Sequence, residues 1–197
     1  MDAEFDAIVL AGGTARRLGG ADKPMLEVDG VPMLVHVLDA VSAARSRVVV
    51  GPRRPIARAV TWCRETPPGG GPVAALAAAL PLTSAAIVVV LAADLPGIAA
   101  AIAPLHAALT SSTSAAPSID VAMLMRNGRP NHLAAAWTRD GLVTALGGVA
   151  DPRGASMGAL ANGATVAEVA DPGWGDDCDT WADLAAARAR SEGGTSR

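Results

Sequence analysis

Four short runs rich in β-branched residues punctuate this chain: DAIVLA (Asp6–Ala11), RVVVG (Arg47–Gly51), AVTWC (Ala59–Cys63) and AIVVVLA (Ala86–Ala92). Their apolar residues come in unbroken blocks instead of alternating with polar ones, the pattern of strands buried on both faces. The segments between them have helical period. Leu34, Val37, Leu38 and Val41 form an i, i+3, i+4, i+7 stripe in a helix that starts near Pro32. Pro72 opens a second helix, PVAALAAAL, after three glycines. Ile98, Ile102, Leu105 and Leu109 form a third stripe, with Pro104 placed to kink it. Strands alternating with helices predict an α/β fold, a three-layer sandwich around a mostly parallel sheet.

From Asp120 the pattern weakens. DVAMLM, NHLAAAW and ATVAEVA read as strands, and helices are expected near Gly141–Leu146 and Thr180–Arg190. TSSTSAAPS (Thr110–Ser118) reads as a loop and EGGTSR as a frayed end. No internal repeat or second domain is visible, so one domain is expected over residues 1–190, with 191–197 a flexible tail.

Composition narrows the function. With 197 residues, 51% hydrophobic, 18% charged and a net charge of −3, the chain is globular and lacks the extended basic face of a general nucleic-acid binder. An aromatic content of 3% leaves little for base stacking, which further argues against a nucleic-acid partner. Cys63 and Cys178 have neither disulfide nor metal-ligand spacing and read as buried thiols. The acidic start MDAEFDA lacks the basic region of a secretory signal, and AIVVVLAAD is too short to span a bilayer, so a cytoplasmic protein with no membrane partner is expected. His36 and His106 sit in helical segments with no catalytic context. Trp62, Trp137, Trp174 and Trp181 read as packing residues.

In open parallel sheets, ligands bind beyond the carboxyl ends of the strands. Here those ends carry GGTARR, RETPPGGGP and DLP, which should meet along one edge. The stretch LAGGTARRLGGADK (Leu10–Lys23) is the richest of them. Gly12 and Gly13 either make a tight strand-to-helix turn or bring backbone N–H groups close to a phosphate. Lys23 is followed by proline, so the stretch is not a P-loop, and its glycines do not fit dinucleotide-fingerprint spacing. Arg17 and Lys23 are the favoured anion ligands, with Arg16 solvated.

These residues carry a resemblance. LAGGTARRLGGADK resembles the signature of the MobA-like nucleotidyltransferases, L-A-G/A-G-x-x-x-R-x-G-x-x-K, and is closest to their molybdenum-cofactor guanylyltransferase branch. ETPPGGGPVAAL, LAADLP and DCDTWADL resemble three further family segments, so the likeness runs through the chain. It implies a Rossmann-like fold of the nucleotide-diphospho-sugar transferase type. It also implies transfer of GMP from GTP to the terminal phosphate of molybdopterin carrying molybdenum, with Mg²⁺ as cofactor and transient contact with proteins of that pathway. Arg17 and Lys23 would be catalytic. Leu10, Ala11, Gly12, Gly13, Lys23, Glu65, Gly70, Gly71, Pro72 and Asp94 would bind the nucleotide, and Asp94 and Asp179 the metal. Arg129, Asn131 and His132 would face the acceptor.

For Asp94 and Asp179 the residues themselves leave a second reading open. Asp94 can cap the following helix, and Thr180–Asp183 matches a capping box in which an acid at 179 simply starts a helix. His132 can equally be structural. The chain also departs from the family pattern: Asp177 and Asp179 replace paired asparagines, tryptophan replaces proline after Thr180, and Glu65 stands where aspartate is usual. Lys23 continues as Pro-Met-Leu, as in sugar-phosphate nucleotidylyltransferases. The alternatives are therefore CTP or another NTP with a different phosphorylated acceptor such as a sugar phosphate, and, from another class, a non-catalytic nucleotide-binding regulator.

Overall fold

The computed structural model describes residues 4–13, 18–111 and 118–194. The first strand, β1 (Phe5–Leu10), lies inside a seven-stranded sheet. Its neighbours are β4 (Arg47–Val50) and β6 (Ile87–Ala92), both parallel to it, with Ile8 opposite Val48 on one side and Val90 on the other. Two parallel ladders leave the strand no free edge, and helices cover both its faces, which is why its residues are apolar without alternation. β5 (Thr61–Cys63) extends the sheet beyond β4. On the far side come β8 (Arg129–Thr138), β7 (Val121–Arg126) and β9 (Val166–Ala170), giving the order β5-β4-β1-β6-β8-β7-β9. Only β8 runs against the others, paired antiparallel to β6 and β7. All seven strands were expected from the sequence, with their ends displaced by a residue or two.

Alternate residues of each strand feed two cores. On one face Ala7 and Val9 join Leu34, Val37 and Leu38 of α1 (Met33–Ala40) and Leu105 and Leu109 of α3 (Ile102–Thr110). On the other, Ile8, Val48 and Val50 meet Val73, Leu76 and Ala79 of α2 (Pro72–Ala79). Leu142 of α4 (Arg139–Gly147), and Met157 and Leu160 of α5 (Met157–Leu160), complete that layer with the fully buried Trp137. A third cluster packs Cys178 with Leu184 and Ala187 of α6 (Trp181–Gly194) onto Val28 and Met33. Val28 belongs to the short hairpin of β2 (Glu27–Val28) and β3 (Val31–Pro32). The C-terminal helix is thereby fastened to the segment that follows Lys23.

Several expectations are corrected. Pro104 does not kink a continuous helix: a 3-10 turn over Ile98–Ala101 precedes α3, and Pro104 lies in the first turn of α3, where a missing N–H removes no helical bond. Trp181 is not a packing residue but is 55% exposed, and Cys63 is half-buried. α6 runs on to Gly194, past residue 190. Thr110 ends α3, and most of the expected loop after it, like the last three residues, lies outside the described residues. The hairpin β2–β3 and the single turn α5 are too short for periodicity to reveal. Among the described residues, no helix is long and apolar enough to cross a membrane.

Candidate functional site

The carboxyl ends of the parallel strands are stitched together just where the glycines begin. Ala11 N–H donates to Val50 O at 2.8 Å, Ala93 N–H to Leu10 O at 3.0 Å, and Gly51 N–H to Cys63 O at 3.0 Å. The ends of β1, β4, β5 and β6 therefore form one platform. Ala11 is buried in it and Leu10 half-buried, whereas Gly12 and Gly13 are exposed. A Cβ at either glycine would meet nothing within 4 Å, but Gly13 has φ +119°, a conformation that glycine takes without strain. The described residues leave space for a ligand against this backbone. Arg16 and Arg17 lie outside the described residues.

Lys23, the only lysine in the chain, starts a 3-10 turn (Lys23–Met25) whose Pro24 is buried. Its ammonium contacts Asp94 Oδ2 and donates to Asp179 Oδ1 at 2.5 Å. Three distant segments thus meet at one cation: the glycine loop, the end of β6 and the residues before α6. Burial works against the charge on Lys23, but hydrogen bonds to Asp179 and Asp94 outweigh it and hold its pKa above the usual lysine value. Asp177 has the opposite fate. Its own burial, then the charges of Asp179 and Asp94, push its pKa up against the opposing pull of Lys23. Burial also carries the Cys178 thiol up to about 11, so this cysteine is unreactive.

The two capping alternatives can now be decided. The 3-10 turn after β6 has Gly97 at its N-cap and no side-chain capping bond, so Asp94 caps nothing there. At α6 the capping box is made by Thr180 and Asp183: Thr180 N–H donates to Asp183 Oδ2 at 2.7 Å, and Asp183 N–H to Thr180 Oγ1 at 3.2 Å. Asp179 is left to face Lys23.

Glu65 and the glycine–proline turn are brought to the same edge by β5. Glu65 is half-buried, and Gly69 N–H donates to its Oε1 at 2.8 Å, so the carboxylate braces its own loop. Gly71, at φ +90°, caps α2 ahead of Pro72, and Gly70 approaches so closely that a Cβ would sit 2.8 Å from Ala74 Cβ. Gly154 N–H donates to Gly70 O at 2.8 Å and ties the 151–154 loop to the turn. Between them lies an open groove of about 390 Å³, lined by Glu65, Thr66, Pro67, Ala74, Asp151 and Arg153 among others.

The three residues expected on the acceptor side separate. Arg129 is exposed at the β7–β8 hairpin, in register with Arg126, whose guanidinium pairs with Asp176. Asn131 is a strut instead of a free donor: Nδ2 donates to Gly175 O at 2.9 Å and Oδ1 accepts from Leu133 N–H at 3.0 Å. His132 is pushed by burial to a pKa below the usual histidine value, so it is neutral at pH 7, and its buried Nδ1 has no hydrogen-bond partner among the described residues. His36 is structural, its Nε2 lying 2.8 Å from Val28 O. The sequence reading missed Arg54, which grips Asp22 beside Lys23. The signal was present, since GPRRP directly follows the β4 strand and sits at the same edge.

Among the described residues, no group of three or more His, Cys, Asp or Glu side chains forms a metal-binding set. What converges is a pair of carboxylates on a single cation.

The chain and its fold match known proteins. The MobA-like NTP transferase domain matches residues 7–164. A probable molybdenum cofactor guanylyltransferase of Synechococcus elongatus is 39% identical over 111 residues, covering 52% of this chain and 56% of that protein. The chain thus spans about half the length of the curated relatives it matches at this level. Among solved structures, the molybdopterin-guanine dinucleotide biosynthesis protein A of Archaeoglobus fulgidus superimposes with a TM-score of 0.71 at 18% identity, over 95% of this chain and 99% of that one. The 2-C-methyl-D-erythritol 4-phosphate cytidylyltransferase of Thermus thermophilus gives 0.66 at 18% identity, over 94% and 98%. At such identities the likeness establishes the α/β nucleotidyltransferase fold.

Proposed function

Because the chain belongs to the MobA-like NTP transferase domain family, we propose that it transfers GMP from GTP to the terminal phosphate of molybdopterin carrying molybdenum, with release of pyrophosphate. The observation that carries this reading is the meeting of Lys23 with Asp94 and Asp179 at the carboxyl edge of the sheet, beside the exposed glycines 12 and 13. Simple nucleotide binding needs the glycines and a cation. It does not need two carboxylates from separate elements held against that cation, an arrangement that would repel a triphosphate unless a further cation joined it. This favours a catalyst over a nucleotide-binding regulator.

The nucleophile is an acceptor phosphate oxygen that is already anionic, so the reaction requires no general base. The protein's own work is alignment and charge. Gly12 and Gly13 offer backbone donors to the phosphates, Glu65 and the Gly70–Gly71–Pro72 turn border the nucleoside end, and Lys23 and Arg17 neutralise charge growing on the α-phosphate and the leaving pyrophosphate. Arg129 stands on the acceptor side.

Asp94 and Asp179 fit a magnesium ion, because both are hard oxygen donors whose carboxylates already converge on one positive charge, and magnesium is commonly held by one or two carboxylates plus substrate phosphates. Bound there, Mg²⁺ would supply charge neutralisation to the phosphate oxygens. The neighbouring Asp177 makes the surroundings more anionic than the paired asparagines of the family pattern would.

The test is pyrophosphate release with GTP, CTP, ATP and UTP in turn, each with molybdopterin carrying molybdenum, with a sugar phosphate, or with no acceptor. Release with GTP and molybdopterin alone is expected. Preference for CTP, or release only with the sugar phosphate, overturns the assignment in favour of a related transferase. Asp94→Asn should lower the Mg²⁺-dependent rate by about 10²-fold or more. Unchanged metal dependence would remove Asp94 from the site.

A further inference from the structure

Lys23 has to be aimed. Downstream its backbone is well anchored, by the burial of Pro24 and by Met33 N–H donating to Leu26 O at 3.0 Å. Upstream lie Gly19 and Gly20, both at positive φ, with nothing within 4 Å of where a Cβ would stand. Such a segment does not hold its own shape. Its backbone bonds among the described residues are local: Ala21 N–H donates to Leu18 O at 3.3 Å and Met25 N–H to Asp22 O at 2.8 Å. The turn that begins at Lys23 has no side-chain cap.

Among the described residues, one side chain crosses to this segment from another element. Arg54, in the loop after β4, places Nε 2.9 Å from both carboxylate oxygens of Asp22 and Nη2 2.8 Å from Oδ1. Its Nη1 donates to Pro52 O at 3.2 Å, which fixes the fork to its own loop. The Arg54 side chain is only 7% exposed, although Asp22 is 53% exposed. A guanidinium buried to that extent is oriented by the carboxylate it holds, and its planar fork defines direction as well as distance. With Nε, Nη1 and Nη2 all engaged in this way, Arg54 is placed as a strut.

We propose that Arg54 is a positioning residue: by clamping Asp22 it sets the backbone from which Lys23 reaches Asp94 and Asp179. The catalytic consequence rests on Lys23 acting on nucleotide phosphates as proposed above, but the clamp itself does not.

That separation shapes the experiment. Lys23 is the only lysine, so its acylation by acetic anhydride, followed by peptide mass spectrometry, reports its exposure at one mapped site without any turnover. Arg54→Ala and Asp22→Ala are each expected to raise the Lys23 acylation rate about fivefold or more through local opening. The double variant should add little beyond either single change, because both remove the same contact. Arg54→Lys should behave like Arg54→Ala, since a point charge cannot replace the fork. In the transfer assay the same variants should lose about tenfold or more in kcat, with KM for the nucleotide changed far less, because displacement of an aligned group is felt at the transition state. Asp22→Ala truncates a half-exposed side chain and leaves no cavity, so it serves if Arg54→Ala does not fold. Wild-type acylation rates in both folded single variants would overturn the proposal, and so would a fall in kcat without a change in acylation. Faster acylation in an enzyme that turns over no nucleotide would support the clamp and refute the proposed function instead.

Discussion

Replacing Lys23 by methionine removes one positive charge while keeping an apolar stem of similar length. In the folded protein that charge touches Asp94 and Asp179, with Asp177 close enough to feel both carboxylates. The side chains of Lys23 and Asp94 are 14% and 18% exposed, so that pair is largely desolvated, while Asp179 is 45% exposed and partly screened. Breaking a buried pair costs about 3–5 kcal/mol, whereas exposed pairs contribute about 0–1 kcal/mol. Discounting for the wet side of this cluster gives a loss of about 2 kcal/mol, or about 4–8 °C in Tm for a chain of this size. The sign with pH follows from the same groups. Lys23 in the wild type titrates above its usual 10.5, so its contribution is complete below that value and is lost as pH rises through the higher, folded one. In Lys23→Met the opposing pull of Lys23 on Asp177 is gone, so burial and the neighbouring charges push that carboxyl further up. The deficit should therefore be full at neutral pH and shrink as acid protonates Asp177. Millimolar MgCl₂ should also restore part of the lost Tm in the variant, since a divalent cation would bind the folded carboxylates and not the unfolded chain. Catalysis should suffer more than stability: removing one preorganised charge of this kind costs about 10²–10³-fold in kcat. Melting by circular dichroism across pH 4–9, with and without MgCl₂, and steady-state pyrophosphate release are the measurements. A folded variant with kcat within about threefold of wild type, well short of the loss a preorganised charge should cause, would remove Lys23 from the chemistry. A stability deficit that grows in acid would refute the electrostatic account.

Asp6→Ala should destabilise the protein by about 3–5 kcal/mol, read from chemical denaturation, because the fully buried carboxylate accepts from Ser46 N–H, Ser46 Oγ, Ser84 N–H and Ala85 N–H. Burial works against its charge, but those bonds win and hold its pKa below the usual carboxylate value, so its contribution is present above pH 3.8 and is lost as pH falls through the folded value. An acid-unfolding midpoint unchanged in Asp6→Ala would contradict this. Gly51→Ala puts a Cβ 2.8 Å from Ala11 O at a φ of +150°, so the ends of β4 and β1 must separate. A cost of about 2 kcal/mol and weaker nucleotide binding by calorimetry are expected, and a neutral substitution would show that the platform tolerates spreading.

The residues that make the site differ in how far they could be read in advance. Asp94 was legible because a carboxylate at the end of an unbroken apolar strand is costly unless something holds it. The capping box at Thr180 was legible as well, but not which acid it would consume. Only the chain path shows that Asp183 takes the cap and Asp179 faces Lys23. Asn131 was read from the family resemblance as an acceptor-side group, yet Gly175 and Leu133 take both ends of its amide, partners that no local pattern names. Trp181 was read as packing because tryptophans usually are, and it stands exposed at the start of α6.

By itself the sequence determined the seven strands of the main sheet, most of the helices, the parallel class of the sheet and the edge where the candidate site lies. Those follow from backbone sterics and from burial periods of about 2 and 3.6 residues, which act over a few neighbours at a time. Tertiary structure alone decided that Lys23 would meet Asp179 across 156 positions and that Arg54 would grip Asp22 across 32. A hydrogen bond or ion pair depends on direction and on tenths of an ångström, and no periodic pattern carries that information between distant segments.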